Sequence, residues 1–382
     1  MRAIPLRLLV SFAVTIPTAT VVGQRPTFTV GGAGADYASL PAAVAAVPPG
    51  SVLLVQPGVH EGFSTGKPLR ILFDFDETSG SVQPAPGAGH TITITGLPAG
   101  EPFVLSGRDA AVLGGSLGGI RIANCAAPVI LQGLDVDAAS SLSGLDITNA
   151  AAVHVHRSEL VGSFGLLAQD ALLSVGDSLV LGTGGAGGVL TRVRCHSARN
   201  YWIGSAQSGL RMYRCTAQLA NDGLGLIAVL GTIDPVEALE VIDCQVQGDP
   251  ATLGLAPANG AAPVFQLLGS WSNEEVPLLA YTGGAPATVA SAMMTSSQPR
   301  FGAIFFGVPA APATALGFGT AYLDLTAPIL LTFGTCDAAG LAVDVQVPAN
   351  PSLLGDVYHL QGGVLDSVGA ILPSGPAFWV AL

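Results

Sequence analysis

Residues 153–158 read Val-His-Val-His-Arg-Ser, and the same order of apolar, variable, apolar, two variable and a Ser or Cys residue returns at 173–178, 210–215 and 239–244. Each run alternates apolar residues with others, as in a short strand that turns one side toward a core. Repetition of one such strand along the chain is the signature of a repeat architecture rather than of a single sheet.

The spacing of these runs predicts the kind of repeat. Imperfect copies end at Leu134 and Cys195, so that successive Ser or Cys positions lie 17 to 29 residues apart. A second element, Gly-apolar-x-(apolar or Ala)-x-(Asn or Asp), occurs at 119–124, 144–149 and 165–170. We predict a parallel β-solenoid with one coil per repeat and equivalent residues about 4.8 Å apart. An irregular β-sandwich with coincidental spacing is the alternative.

This frame predicts two sets of stacked side chains. The repeated Ser, Cys and Leu positions should form one inward-facing ladder. Asn149 and Asp170 should form hydrogen bonds to neighbouring coils.

Composition excludes several classes of protein. The 382 residues are 49% hydrophobic and 10% charged, with 50 Gly and 27 Pro, which favours a folded all-β chain over a disordered one. Beyond the N-terminus no apolar run approaches the roughly 20 residues of a spanning helix, so the mature chain should have no membrane span. A net charge of −12, with Lys67 as the single lysine, argues against a nucleic-acid partner.

The N-terminus has the order of a secretory signal. Arg2 and Arg7 flank the start of an apolar stretch over 8–19, and small residues precede Gln24. We predict a signal peptide over 1–23 and an exported protein that is extracellular, at the cell surface or periplasmic. A buried N-terminal strand or a short membrane anchor is the alternative.

A helix and a first strand are predicted next. Ser39 suits an N-cap, and Pro48-Pro49-Gly50 ends the helix. Residues 36–44, Asp-Tyr-Ala-Ser-Leu-Pro-Ala-Ala-Val, with 52–61, Val-Leu-Leu-Val-Gln-Pro-Gly-Val-His-Glu, resemble the N-terminal cap and first coil of the pectin lyase-like superfamily of right-handed parallel β-helices. His60 stands where those families usually have Tyr. The resemblance implies a right-handed parallel β-helix over 24–250 with a helical cap.

The composition changes after the repeats. Gly, Pro and Ala dominate 251–263, which we interpret as a linker. Short apolar runs split by Gly and Pro then predict a small β-sandwich-like domain over 264–382. Residues 345–361 resemble a C-terminal module of secreted planctomycete-type bacterial proteins, which implies a surface location.

Known chemical motifs are missing from the sequence. The five cysteines, at positions 125, 195, 215, 244 and 336, show no zinc-site spacing, and no catalytic set of the β-helix enzyme families is complete. His154 and His156 should face outward as exposed imidazoles, and a metal-binding pair is the alternative. Asp74, Asp76 and Glu77 carry oxygen ligands of the type that Ca²⁺ takes, but nothing fixes the remaining ligands. We predict no metal site and no cofactor, with Ca²⁺ at these acidic residues as the alternative.

One segment combines positive charge with aromatic rings. No Asp or Glu lies between Ser178 and Asn221, whereas five arginines do. Arg194 and Arg214 should share one outward column, in line with Arg157, Asp177 and Asp243. Guanidinium groups bind carboxylates and sulfates, and aromatic faces stack on sugars. The predicted ligand-binding residues are Arg192, Arg194, Arg199, Tyr201, Trp202, Arg211, Tyr213 and Arg214. A salt-bridged column that only balances charge is the alternative.

These observations predict an exported, non-catalytic β-helix protein that binds an anionic polysaccharide. One alternative is a divergent polysaccharide lyase, for which His196, Arg199 and Tyr201 are the candidate catalytic residues. The other is a structural spacer or adhesin.

Overall fold

The computed structural model describes residues 25–226, 236–282, 288–307, 309–316, 319–323, 328–347, 355–366 and 369–380. The predicted signal peptide, 1–23, lies outside the described residues. No helix in these ranges is both long and apolar enough to cross a bilayer.

Parallel strands make up the first part of the chain, and the single α-helix of the described residues, α1 (Leu40–Ala46), lies between the first two of them. In chain order the strands are β1 (Thr27–Val30), β2 (Val52–Val55), β3 (Gly58–Glu61), β4 (Phe63–Thr65), β5 (Arg70–Phe73), β6 (Gly80–Gln83), β7 (His90–Thr95), β8 (Phe103–Leu113), β9 (Gly118–Cys125), β10 (Val129–His156), β11 (Glu159–Gly176), β12 (Leu179–Gly182), β13 (Gly188–Thr191), β14 (Arg194–Ala198), β15 (Tyr201–Gly204), β16 (Leu210–Tyr213), β17 (Thr216–Ala220), β18 (Gly223–Leu226), β19 (Leu239–Gln247), β20 (Gly254–Ala256) and β21 (Val264–Ser272).

These strands stack into a parallel β-solenoid of about ten coils with three faces, which confirms the predicted fold class. The first face contains β1, β2, β5, β14, β17 and parts of the longer strands β8, β10, β11, β19 and β21. The second face contains β3, β6, β12, β15, β18, β20 and other parts of β8, β10 and β11. The third face contains β4, β7, β9, β13, β16 and the remaining parts of β10, β11, β19 and β21.

In-register pairing stacks apolar residues inside the coils. On the second face the inward column is Val82, Val112, Val136, Leu160, Val180, Trp202 and Leu224, all buried. Trp202 is accommodated because Gly188 stands opposite, where an added Cβ would lie 2.4 Å from the indole ring. The inward-facing half of each strand therefore forms one continuous core.

Most coils turn sharply at two corners, where one residue has positive φ. The corner from the third face to the first has Asn124, Asn149, Asp170, Arg192, Arg214, Asp243 and Leu268 in this conformation. The corner from the first face to the second has Asp109, Arg157, Asp177, Arg199 and Asn221. Asn and Asp tolerate this region better than other residues with a Cβ, which explains their recurrence.

The single ladder predicted from the Ser and Cys positions is wrong, because the motif marks both corners. At the first-to-second corner, the Ser158 N–H donates to Ser178 Oγ at 3.1 Å and the Ser178 N–H donates to Asn200 Oδ1 at 2.9 Å. At the other corner, the Cys215 N–H donates to Cys244 Sγ at 3.2 Å.

The predicted bonds between coils at Asn149 and Asp170 are confirmed. Asn149 Nδ2 donates to Asn124 Oδ1 at 2.8 Å, and Asp170 accepts from Arg192 at 2.6 Å.

Antiparallel strands form the rest of the chain. They are β22 (Leu278–Thr282), β23 (Val289–Thr295), β24 (Arg300–Gly307), β25 (Pro309–Leu316), β26 (Gly319–Leu323), β27 (Ile329–Cys336), β28 (Leu341–Gln346), β29 (Val357–Leu365) and β30 (Ile371–Val380). The sheets β22-β23-β28 and β27-β24-β29-β30 share one apolar core, which includes Tyr281, Met294, Ile304 and Leu360. We call this unit the C-terminal domain.

The C-terminal domain covers the first face of the solenoid. Val380 belongs to one apolar cluster with Val52, Leu72, Val104 and Ile130, which are residues of successive coils on this face. The solenoid therefore has one covered face and two faces that the described part of the C-terminal domain leaves open.

This packing corrects the prediction for the two alternating histidines. His154 and His156 do point out of the coil, but they are 2% and 5% exposed. His154 contacts the rings of Tyr322 and His359, and His156 stacks on Tyr281. Alternation fixed their direction correctly, whereas their covering comes from residues far away in the chain.

The helix α1 lies near the first coil of the solenoid, and β20 and β21 belong to its last coils. α1 begins after the N-cap Ser39 as predicted, and Leu40 and Val44 belong to the solenoid core. That it closes the end remains a prediction. At the other end, β20 and β21 pair with β18 and β19, so parallel pairing runs through the predicted linker to Ser272. The Gly, Pro and Ala of this stretch form turns between short strands.

Candidate functional site

The structure brings together five of the eight predicted ligand-binding residues. Arg211 and Tyr213 lie on the outer surface of the third face, and Arg192 and Arg214 lie at the corner where that face ends. Arg194 begins the first face directly after this corner. We call these five residues the arginine strip.

Carboxylates from neighbouring coils balance much of the strip's charge. Arg192 binds Asp170 at 2.6 Å through both Nε and Nη2. Arg211 binds Glu240 at 2.6 and 3.1 Å, and Tyr213 donates its hydroxyl to the same carboxylate at 3.1 Å. These contacts are those of the salt-bridged alternative.

The predicted single column of outward charges is wrong. Arg214 pairs with Asp243 at 3.5 Å across the third-to-first corner, whereas Arg157 and Asp177 lie at the other corner. Arg194 belongs to neither corner, because it pairs within the first face with Leu172 and Thr216. The repeat pattern in the sequence assigned residues of two different corners to one column, because both corners have the same motif.

The other predicted site residues lie elsewhere. Arg199 is at the first-to-second corner, Tyr201 is 63% exposed on the second face, and Trp202 is 0% exposed inside the core. His196 lies beneath the C-terminal domain at 4% exposure, and burial and Arg199 lower its pKa to about 3. The candidate lyase set His196, Arg199 and Tyr201 therefore does not share one accessible surface.

An open groove of about 590 Å³ lies on the third face near its N-terminal end. Its residues include Ser64, Thr93, Thr95 and Arg121 from the strands. Its lining also includes Ala85, Ala88, Gly89 and Leu117, from the two segments that lead from the second face to the third. The two segments support each other, because Leu117 N–H donates to Gly89 O at 2.6 Å.

Two residues that line the groove, Arg121 and His90, lie near the carboxylate of Asp146 on the next coil. Arg121 Nε lies 4.0 Å from Asp146 Oδ2, and His90 Nε2 lies 3.9 Å from the same oxygen. Burial lowers the pKa of His90, and Arg121 also lowers it while Asp146 raises it. The Arg121 side chain is 45% exposed, and its ion pair is long compared with the 2.6 Å of Arg192. Arg121 is thus placed to donate hydrogen bonds to a ligand in the groove.

Sequence reasoning missed these residues, although a signal existed. Arg121 and Asp146 occupy the same position, two residues after Gly119 and Gly144, in the second repeated element. Their pairing across adjacent coils follows from that register.

The described residues contain no group of three or more His, Cys, Asp and Glu side chains arranged to hold a metal ion. On the second face, burial raises the pKa of Asp135, and the nearby Glu159 and Glu77 add to the rise, which brings the pKa to about 6.

Neither the protein-family models nor the curated proteins compared with the chain gave a match.

Proposed function

We propose that the protein is an exported, non-catalytic β-solenoid that binds an acidic polysaccharide along its third face. The observation that carries this proposal is the open groove of about 590 Å³ with the half-exposed guanidinium of Arg121 over a hydroxyl-bearing sheet. Its volume falls within the ~300–1,000 Å³ common for ligand sites. A carboxylate or sulfate of the ligand pairs with Arg121, and sugar hydroxyls bond to Thr93 and Thr95.

The arginine strip lies farther along the same face and extends the proposed site. Arg121 and Arg211 are both outward-facing on the third face, four coils apart, or roughly 19 Å at the spacing of stacked strands. A chain of several sugars reaches both positions, and Tyr213 offers an aromatic surface beside Arg211. Binding at the strip competes with Glu240, so Arg121 supplies the stronger contact.

We also propose that the chain belongs to the right-handed, pectin lyase-like superfamily, carries a C-terminal surface module and is exported. The parallel coils, and the stacked Asn124 and Asn149 at one corner, support membership of the right-handed, pectin lyase-like superfamily. The proposed C-terminal surface module, residues 345–361, includes the end of β28 and the start of β29. Export rests on the signal-like sequence over 1–23.

Binding of the purified chain to uronate-rich, sulfated and neutral polysaccharides tests the proposal. We expect salt-sensitive binding to the acidic polymers and a loss of at least about tenfold in affinity for Arg121→Ala. Arg108→Ala is the matched control, because Arg108 is exposed on β8, outside the third face. No binding by the wild-type chain contradicts the proposal and favours the spacer or adhesin. Growth of unsaturated-sugar absorbance in the same wells favours the lyase.

A further inference from the structure

The last coil of the solenoid ends in an open strand edge. β21 pairs with β19 on one side, and no strand of the described ranges pairs with its other side. The Leu239 N–H of β19 donates forward to Pro263 O. Equivalent residues of successive coils in a parallel sheet direct their N–H groups the same way. Val264 is equivalent to Leu239 one coil later, so its N–H points away from the solenoid.

This edge lacks the usual protection against pairing. Proteins blunt exposed edges with charged side chains or Pro. β21 reads Val-Phe-Gln-Leu-Leu-Gly-Ser-Trp-Ser, with no Pro, and the whole stretch 254–272 has no charged residue in a chain of net charge −12. Phe265, Leu267 and Leu268 are 41%, 49% and 69% exposed. Two copies of this uncharged stretch can therefore meet without electrostatic repulsion between their own side chains.

Leu268 departs from the pattern of its corner. It has φ 61, at the position where the preceding coils have Arg214 and Asp243. A large apolar residue with positive φ has a strained backbone. Because Leu268 is exposed, no burial of its side chain within a single chain offsets the energy of that strain. A contact that covers Leu268 compensates for that strain.

The opposite end of the solenoid cannot receive this edge. The outer edge of β1 is occupied by its own chain, since the Tyr37 N–H donates to Thr29 O at 3.1 Å and the Gly31 N–H donates to Tyr37 O at 2.9 Å. The Thr29 N–H also donates to a carboxylate oxygen of Asp36 at 2.7 Å. Head-to-tail stacking is therefore blocked, and an open end fits only another open end.

We propose that two copies of the chain join end to end through their β21 edges. A two-fold axis between them makes the two β21 strands antiparallel, so that each supplies the same residues to the contact. Backbone hydrogen bonds then pair the open edges, and Phe265, Leu267 and Leu268 are removed from water.

Light scattering after size exclusion of the full chain, from about 1 to 100 µM, tests the proposal. We expect twice the mass of one chain for the wild type. Gln266, exposed and in line with the inward-facing Val241, is buried in the dimer, so Gln266→Lys should weaken association at least about tenfold. Gln169→Lys is the control, because Gln169 is exposed on the same face several coils earlier.

The variant Leu268→Asn distinguishes an effect on the dimer contact from an effect on folding. Asn tolerates positive φ, so this variant should raise the stability of the isolated chain while weakening the dimer. A monomeric wild type over the whole concentration range overturns the proposal. A dimer that survives both Gln266→Lys and Leu268→Asn also overturns it, as does growth into longer assemblies, because a two-fold contact is closed.

Discussion

Arg199 holds Asp177 of the preceding coil through two parallel hydrogen bonds, Nε–Oδ1 at 2.6 Å and Nη2–Oδ2 at 2.7 Å. The same guanidinium donates from Nη1 to Leu279 O of the C-terminal domain at 3.3 Å. Burial raises the pKa of Asp177, but the hydrogen bonds and charge of Arg199 outweigh it and leave that pKa below its usual value. One arginine thus joins two coils and a second domain.

Replacing Arg199 should loosen the docking of the C-terminal domain. Arg199→Ala leaves Asp177 half-buried without its main partner and removes the bond to Leu279, so we expect a loss of about 2 kcal/mol in the free energy of unfolding. Urea denaturation measures this loss, and limited proteolysis reports release of the domain.

Arg192→Ala is the matched control for that prediction. Arg192 has a similar positive φ and a similar two-point bond to Asp170, but its pair is exposed and lies at the other corner. Backbone strain from Ala is therefore equal in the two variants. Equal losses of stability would show that Arg199 has no role in docking.

Acid should destabilise the protein through histidines under the C-terminal domain. Burial lowers the pKa of His154 and His156 to about 4, with Arg157 and Arg199 lowering and Asp177 raising that of His156. The pKa of His359 also falls, because of burial and His154. Below the ordinary histidine value of 6.5 the unfolded chain binds protons that the folded chain excludes, so stability falls from about pH 6.5 toward pH 4.

Denaturant unfolding at about pH 8, 6 and 5 measures this slope, which has a limit of about 1.4 kcal/mol per pH unit for each histidine. His359→Phe replaces one buried imidazole with a ring of similar shape. We expect a shallower slope for this variant between pH 6.5 and 4. An unchanged slope would remove His359 from the explanation.

The two corners show what the sequence could and could not predict. The coil, its alternation and the bonds of Asn149 and Asp170 depend on neighbours about 20 residues apart, so one period is enough to read them. Ser178 and Cys244 occupy different corners, yet both follow a residue with positive φ that favours the same local motif. A local pattern does not distinguish two turns with the same backbone requirement.

The candidate site shows the same limit at longer range. The arginine segment has no acid within it, but Asp170, Glu240 and Asp243 reach it from adjacent coils. Their contribution appears only when the register is known. The covering of His154 by Tyr322 depends on packing across more than 160 residues, which no repeat period encodes.

The buried ladder at the first-to-second corner should be more sensitive than the exposed one. Asn200 is 1% exposed, accepts from the Ser178 N–H, and donates to Val175 O and Ser197 Oγ, each at 2.9 Å. Asn200→Ala removes the acceptor of the buried Ser178 N–H and the donor to Val175 O, while Ser197 Oγ keeps its bond from Trp202 Nε1. We expect a cost of about 2–4 kcal/mol in the free energy of unfolding.

Asn149→Gly is the comparison for Asn200→Ala. Gly suits the positive φ of Asn149, and the variant loses only the exposed bond to Asn124, for an expected cost of about 1 kcal/mol or less. Thermal or urea unfolding of both variants checks the ranking. A larger loss for Asn149→Gly would contradict the assignment of the stabilising ladder to the buried corner.

Asp222, the last acceptor of that ladder, should respond to pH in the direction opposite to the histidines. It is 1% exposed, and burial raises its pKa to about 7 although hydrogen bonds from Asn200 oppose the rise. Between the ordinary carboxyl value of 3.8 and about 7 the folded chain holds a proton that the unfolded chain releases, so this group's contribution to stability falls as pH rises.

Asp222→Asn removes that titration and keeps the acceptor, which lies 2.8 Å from the Asn200 nitrogen, and Asn already fits one coil earlier. We expect the variant's stability relative to wild type to grow from about pH 4 and level off above pH 7, with a gain of about 1 kcal/mol or more. A difference that stays constant across this range would mean that Asp222 is not the buried acid that titrates.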